Sequence, residues 1–336
     1  MTSILTAYSI LDLAVVSEGH TLKQTFNDSL RLAQHAEKFG YTRYWLAEHH
    51  NAINIGSSAT AILIGYIAEG TSTIRVGSGG IMLPNHSPLI VAEQFGTLGS
   101  LYPERIDLGL GRAPGTDRET AQAIRSDFMQ AAHSFPEDVA AIQKYFSIEN
   151  VTSKIRATVA EGVNVPIYIL GSSTDSAHLA AKTGMPYAFA SHFATRYLEN
   201  ATDIYRKEFQ PSDVLNAPYV IAGVNIIIAE TDEQAESYAT SLIKMFLGIF
   251  TGKREYMQPP TEMTQEYRDI MAHPQVSQML KYSFIGSKAT VKKQVKAFLD
   301  RTQVQELIAV TNIYDTDAKI RSFELFSEIM QELNAE

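Results

Sequence analysis

The sequence predicts an α/β fold, a (β/α)8 barrel of parallel strands with insertions after the fourth and seventh strands. One observation is that strand-like and helix-like segments alternate along all 336 residues, which is typical of repeated βα units. Another is that three successive strand-like runs end in residues suited to chemistry, and parallel barrels carry their working residues at the carboxyl ends of strands. We therefore expect residues 1–336 to form one domain.

The first half of the chain contains four predicted strands, at 7–13, 42–47, 74–83 and 105–110. The spacing of apolar residues predicts a helix over 21–39, and Gly40 follows it as a cap. Ser87 and Pro88 start a helix that runs to residue 101, because a serine hydroxyl caps helices and proline in the first turn loses no hydrogen bond.

The second half contains four more predicted strands, at 166–170, 187–190, 219–229 and 306–311. A polar helical region follows the fourth strand and extends to about residue 146, which implies an added helix. Thr231 and Gln234 are spaced as in a capping box at the start of the next helix. The closing helix has an apolar stripe, formed by Ile320, Phe323, Phe326, Met330 and Leu333.

Residues 248–286 interrupt the pattern after the seventh strand. They contain Pro259, Pro260 and Pro274, several charges and no steady period. Long insertions at this rim of a barrel are often mobile lids. The sequence therefore predicts either a mobile lid over 248–286 or a passive surface insertion.

Composition limits the classes of partner. The net charge is −9, and the densest basic stretch, 288–296, holds four lysines, so neither nucleic acid nor an anionic membrane is expected as a partner. The chain has no cysteine, which excludes disulfides, iron–sulfur clusters and thiol catalysis. Residues 1–7 lack the features of a secretory signal, and no apolar run approaches the roughly 18 residues of a membrane span. We expect a cytoplasmic protein.

The second predicted strand leads into Glu48, His49 and His50. A histidine at a barrel mouth can take up or release a proton near neutral pH. A metal centre would need a third ligand at suitable spacing, and the sequence offers none. The pair therefore indicates either acid–base chemistry or a structural role, and no metal is expected.

The third strand contains Gly77, Gly79 and Gly80. Glycine weakens a strand, and it is tolerated where the strand bulges or where a ligand approaches the backbone closely. A simple bulge and a flat ring lying on the strand both explain the pattern.

Arg112 ends the fourth strand after Gly109 and Gly111, but the spacing and position do not match a dinucleotide-binding fingerprint. An arginine here is suited to a phosphate, which its guanidinium binds through two hydrogen bonds. The turn 171–176 after the fifth strand adds serine hydroxyls and a helix N-terminus, which bind phosphate well but also serve as plain caps. Asp175 would repel a phosphate if it pointed inward. Together with Arg112, the turn favours a phosphate site.

Three segments, 44–50, 76–86 and 105–117, resemble the bacterial-luciferase-like flavin-dependent monooxygenases, and the likeness extends over nearly the whole chain. The chain looks like a non-luminescent member, since it lacks the cysteine that luciferases carry near the flavin. The resemblance implies a TIM barrel that binds FMN at the carboxyl rim, with the ring against a cis peptide at Gly79-Gly80. It implies these further roles: His49 catalytic, Arg112, Ser173 and Ser176 at the FMN phosphate, and His192 on the substrate side.

The reaction that the resemblance implies begins with reduced FMN and O2, which form a C4a-peroxyflavin that oxidises a small carbonyl compound or a similar substrate. A separate NAD(P)H-dependent flavin reductase would supply reduced FMN, and a homodimer is expected. Relatives on the same scaffold leave two alternatives open: a deazaflavin-dependent dehydrogenase and a flavin-binding protein without catalysis. The sequence does not disclose the substrate.

Overall fold

The computed structural model describes residues 5–336, so residues 1–4, at the start where no secretory signal is predicted, lie outside the described part. The strands are β1 (Ala7–Asp12), β2 (Arg43–Leu46), β3 (Arg75–Met82), β4 (Ile106–Gly111), β5 (Ile167–Gly171), β6 (Tyr187–Phe189), β7 (Val220–Ala229), β8 (Ser283–Ser287) and β9 (Glu306–Val310). Eight of them form a closed parallel barrel in the order β6-β5-β4-β3-β2-β1-β9-β7, closed by pairing of β6 with β7. The predicted barrel is therefore confirmed.

Helices surround the barrel. In the first half they are α1 (Leu22–Lys38), α2 (Thr60–Glu69), α3 (Pro88–Leu101), α4 (Arg118–Ile124), α5 (Phe128–His133) and α6 (Phe135–Phe146). In the second half they are α7 (Thr174–Thr183), α8 (Leu198–Glu208), α9 (Asp232–Thr251), α10 (Gln265–Ala272), α11 (Pro274–Met279), α12 (Lys288–Thr302) and α13 (Thr316–Ala335). No helix within residues 5–336 is long and apolar enough to cross a membrane.

The helix ends test the predicted caps. Gly40 follows α1 with a φ of +80°, a conformation that glycine adopts without steric cost. Pro88 begins α3 as predicted, but the Ser87 hydroxyl makes no capping hydrogen bond, so that prediction is wrong. At α9 the Thr231 hydroxyl accepts from the Gln234 amide at 3.2 Å, whereas the Gln234 side chain donates to Tyr238 and does not complete the box.

Both predicted insertions contain more structure than the sequence indicated. After β4, three helices, α4 to α6, stand where an added helix was predicted. The segment 248–286 contains α10, α11 and most of β8. Strand β8 pairs in parallel with the second half of β7, placing Ile285 beside Ile227. This pairing lies outside the closed barrel and extends its sheet.

The amino end of the barrel is filled by a buried charge network that the sequence analysis did not predict. Arg43 donates to Asp107 at 2.7 Å, to Glu306 at 2.8 Å and to the Tyr168 hydroxyl at 2.7 Å. Arg75 donates to the other oxygen of Asp107 at 2.6 Å. Arg43 is 5% exposed and both acids are 0% exposed, so two cations and two carboxylates neutralise each other away from water. An apolar layer separates this network from the opposite rim, formed by Leu11, Trp45, Ala188, Ile221 and Ile308.

Candidate active site

Glu48 is the buried centre of the rim after β2. It is 1% exposed, and its carboxylate accepts from the Met82 amide at 3.0 Å, the Asn85 side chain at 3.0 Å, and His50 and His86 at 2.9 Å each. Burial alone would raise the pKa of Glu48, but the hydrogen bonds, those from the two histidines first, lower it to about 2. Glu48 is therefore an anion whose hydrogen bonds fix the loops after β2 and β3.

His49 lies beside this cluster and makes a different contact. Its Nδ1 is 3.1 Å from the Gly115 carbonyl, beyond the end of β4. A carbonyl only accepts, so Nδ1 carries the proton and Nε2 is the unprotonated nitrogen of the neutral ring. Burial lowers the pKa of His49 below its usual 6.5, against the hydrogen bond to Gly115, which acts to raise it. The ring is thus held neutral, with one basic nitrogen left to act.

His192, after β6, packs against β7. A side-chain carbon on Gly223 would lie 2.4 Å from His192 Nδ1, so the ring occupies the space that a larger residue there would fill. Nδ1 is buried with no hydrogen-bond partner among the described residues. Burial lowers the pKa of His192 to about 4, and the charge that a protonated His49 would carry acts in the same direction. The structure thus places two neutral imidazoles within electrostatic range of each other.

We expect the free energy of unfolding to fall as the pH drops from about 6.5 to about 4, because the unfolded chain protonates His192 in this range and the folded one does not. The pKa of His192 is lower in the folded state than in the unfolded chain. The contribution of neutral His192 to stability is therefore complete above pH 6.5 and is lost toward pH 4. The difference between the pKa of His192 in the unfolded and in the folded state corresponds to about 3 kcal/mol of unfolding free energy. Urea unfolding at each pH should show that the free energy of unfolding depends less steeply on pH in His192→Asn. His178→Asn, at a partly exposed histidine, is the control. An unchanged slope in His192→Asn would contradict the assignment.

Gly79 and Gly80 are joined by a cis peptide bond, as the resemblance implied. Pairing between β3 and β4 shifts register between Gly79 and Ile81, so the strand also has the irregularity expected of a bulge. A side-chain carbon on Gly79 would come within 2.7 Å of Leu11, and one on Gly80 within 2.8 Å of the Gly109 carbonyl. A larger residue at position 80 would therefore collide with the backbone of β4, whereas at position 79 it would have to displace the end of the Leu11 side chain.

Arg112 leaves the end of β4 and reaches α7, where its guanidinium pairs with Asp175 at 2.9 Å. Both side chains are half exposed or more, at 50% and 65%, so the pair contributes little stability and either partner is free to exchange it. The Ser173 hydroxyl does not cap α7, which leaves the first amides of this helix without an intrahelical acceptor. An arginine and a set of free amides thus face the same patch of the rim.

The two predicted serines differ in their surroundings. The Ser176 hydroxyl donates to the Ser173 carbonyl at 3.1 Å and lies 3.1 Å from the Tyr187 hydroxyl. It packs so closely on β5 that a side-chain carbon on Gly171 would overlap it. Ser176 thus holds the turn together, and Ser173 is the serine that stands at the open end of the helix.

Sequence reasoning missed two asparagines at the mouth. Asn225 of β7 donates to the His192 carbonyl at 2.6 Å and so fixes the loop after β6. Asn312 follows β9 on the face that Ile308 and Val310 turn to the barrel interior, and its buried Oδ1 has no partner among the described residues. The sequence signal for Asn225 was a polar residue within an apolar strand, and that for Asn312 was its position just after a strand.

Two cavities lie outside the patch of His49, Arg112 and Ser173, and the first of them borders the loop after β1. A cavity of about 20 Å³ between α1 and α13 is lined by groups that include Asp12, Ser29 and Lys319, and it has room for little more than a water molecule. A wider open groove lies among α9, α10 and α11, beside Phe250 and Ile270. Neither contains a predicted site residue. No group of His, Asp or Glu within residues 5–336 is arranged to hold a metal ion.

Comparison with known proteins relates the chain to one family. The luciferase-like monooxygenase family matches residues 6–309. The chain is 46% identical to YvbT of Bacillus subtilis, covering 96% of each chain. It is 44% identical to a luciferase-like monooxygenase of Escherichia coli, covering 99% of each chain. It is 32% identical to an N-acetyl-S-alkylcysteine monooxygenase of B. subtilis, covering 95% of this chain and 97% of the other.

Solved structures agree on the fold. Apo-MsnO8 superimposes with a TM-score of 0.88 at 31% identity, covering 97% of this chain and 98% of the other. The oxygenating constituent of 3,6-diketocamphane monooxygenase from Pseudomonas putida, solved with FMN, gives a TM-score of 0.73 at 17% identity, covering 96% and 97%. An F420-dependent secondary alcohol dehydrogenase gives 0.70 at 14% identity, covering 96% and 98%. The last two show a shared fold alone.

Proposed function

Because the chain belongs to the luciferase-like monooxygenase family, we propose that it uses reduced FMN and O2 to oxidise a small organic substrate. The observation that carries this proposal is the rim of the barrel. It holds a neutral imidazole, His49, after β2, and groups that can donate hydrogen bonds to a phosphate after β4 and β5. Bound reduced FMN would supply the electrons that activate oxygen.

The residues at the phosphate patch fit the group. Arg112 offers two parallel hydrogen bonds, and the open end of α7 offers amides and a favourable dipole. In the structure the Asp175 carboxylate pairs with Arg112, in the position that a phosphate would take. A phosphate carries more charge than this carboxylate, so it would displace Asp175 from the guanidinium. Ser173 would add a hydroxyl donor, while Ser176 would keep the turn in shape.

His49 would act through Nε2. Since Nδ1 is tied to the Gly115 carbonyl, Nε2 is the atom that accepts a proton during turnover or a hydrogen bond from the substrate. Glu48 holds the loop that carries His49 in place. His192 would border the substrate on the other side of the mouth, and Gly79-Gly80 would form the wall behind the flavin ring.

For the substrate we propose a carbonyl compound or a thioether. The thioether is supported by the relative whose name gives N-acetyl-S-alkylcysteines as its substrates. The proposal also includes a separate NAD(P)H-dependent flavin reductase, a lid formed by residues 248–286, and a homodimer. Exposed apolar side chains on adjacent helices α2 and α3 support the dimer, namely Ile62, Tyr66, Ile90 and Leu101.

A binding and oxygen-mixing experiment tests the proposal. We expect FMN to bind more tightly than riboflavin, which has no phosphate, and Arg112→Gln to reduce that preference about tenfold. Stopped-flow mixing of the reduced complex with oxygen should then show substrate-dependent oxygen incorporation. Anaerobic reduction of a deazaflavin by substrate would instead support the dehydrogenase, and FMN binding without substrate-stimulated turnover would support a flavin-binding protein.

A further inference from the structure

The segment around Met257 is fastened to the rim beside His49. The Met257 amide donates to the Val16 carbonyl at 3.0 Å, and the Glu18 amide donates to the Met257 carbonyl at 2.9 Å. The Met257 side chain is fully buried. Although it belongs to the long insertion after β7, this segment therefore runs along the loop after β1.

The same loop is joined to the loop that carries His49. The Val16 amide donates to the Asn54 carbonyl at 2.9 Å, and the Gly56 amide donates to the Ala14 carbonyl at 2.9 Å. The His49 amide in turn donates to the Ser57 carbonyl at 3.3 Å. Backbone hydrogen bonds thus connect the insertion, the loop after β1 and the catalytic candidate in one continuous part of the rim.

Arg254 lies three residues before Met257, so its backbone is within about 10 Å of this fastening point. The side chain is exposed, and it forms no ion pair with any residue in 5–336. Some other exposed arginines have carboxylate partners, as Arg112 has Asp175. Arg118 and Arg196, also exposed, have none within residues 5–336. Burial is the main cause that lowers the pKa of His49, and the positive charge of Arg254 lowers it further.

We propose that the substrate of this site carries a carboxylate or an equivalent anionic group, and that Arg254 is the residue that binds it. This inference rests on the proposed function, because it assigns a substrate class to the same mouth. Arg254 is placed to hold the anionic end of a small molecule while the rest of it extends toward His49. Its guanidinium matches a carboxylate through two parallel hydrogen bonds.

The buried carboxylate beside His49 does not oppose binding of an anion. The one buried carboxylate beside His49, Glu48, is enclosed by hydrogen bonds from His50, His86 and Asn85 and does not face the mouth as a free anion. Arg112 is separately paired on the β4–β5 side of the rim. In a chain of net charge −9, a cation without a partner beside the mouth would attract an anionic ligand and repel a cationic one.

Binding of a matched pair of probes tests the proposal. The probes are N-acetyl-S-benzylcysteine and its neutral carboxamide, each titrated calorimetrically into the full-length protein with FMN present. We expect the carboxylate to bind at least about tenfold more tightly than the amide. Arg254→Gln should abolish this preference and Arg254→Lys should keep part of it. Lys253→Gln, which removes a neighbouring charge from the same insertion, should leave it intact.

Equal affinities for the two probes, no binding of either, or a preference that survives Arg254→Gln would each overturn the inference. Circular dichroism and the FMN affinity of each variant verify that it is folded. Failure of the proposed function has a different signature: the preference for the carboxylate would persist in binding while neither probe stimulated oxygen incorporation.

Discussion

Replacing His49 with alanine is expected to lower kcat by about 100- to 10,000-fold, the usual range for the loss of a group that transfers a proton. The substitution removes the one nitrogen, Nε2, that the contact with Gly115 leaves unprotonated. FMN affinity should change little, because the phosphate patch at Arg112 is untouched. Turnover is measured with a flavin reductase, NADH and a thioether or carbonyl substrate. His178→Ala, at a partly exposed histidine paired with Glu208, is the matched control.

The pH profile gives an independent test of the same role. The pKa of His49 is lowered by burial, so Nε2 remains unprotonated somewhat below pH 6.5, the ordinary midpoint for histidine. The acidic limb of kcat/KM should therefore lie below pH 6.5 and should disappear in His49→Ala. Retention of both the turnover rate and the acidic limb in His49→Ala would refute a proton-transfer role.

Replacing Arg43 with methionine is expected to reduce the free energy of unfolding by about 3–5 kcal/mol, the cost of leaving buried charges without their partner. Asp107 would retain Arg75, but Glu306 would lose the cation that lies 2.8 Å away. Methionine fills much of the volume of arginine, so the loss of stability measures the effect of the missing charge more than that of a cavity. Urea unfolding followed by circular dichroism measures it.

Two further variants distinguish a charge effect from a packing effect. Lys296→Met breaks an exposed pair with Asp300 and should cost at most about 0.5 kcal/mol. Adding Glu306→Gln to Arg43→Met should restore part of the stability, because it removes the unpaired carboxylate. If the double variant is no more stable than Arg43→Met alone, packing of the arginine stem accounts for the loss.

The sequence predicted the barrel because most of its strands and helices are encoded locally. Strand β4 and helix α13, for example, follow from apolar runs and periodicity that need no distant partner. Strand β8 escaped prediction, since its five residues form a strand only through pairing with β7, more than fifty residues earlier in the chain. Helix α2 is apolar at nearly every position, so the spacing of its apolar residues does not distinguish a buried face from an exposed one.

The sequence identified candidate site residues but not the residues with which they form hydrogen bonds and ion pairs. His49, Arg112 and Ser173 were identified because each follows an apolar strand, and a parallel barrel brings strand ends to one rim. The contacts that decide their chemistry join residues far apart in sequence: His49 is 66 residues from Gly115, and Arg112 is 63 from Asp175. No local pattern specifies such partners.

The sequence by itself determined the eight-stranded barrel, the rim on which its chemistry-bearing residues gather, and the family resemblance. Only the tertiary structure decided that Glu48 is a structural anion, that strand packing leaves no room for a side chain at Gly80, and that the insertion carrying Arg254 is hydrogen-bonded to the loop after β1. The physical reason is that secondary structure follows from the spacing of apolar residues along the chain. Burial, protonation and pairing depend instead on which distant segments the closed barrel brings into contact.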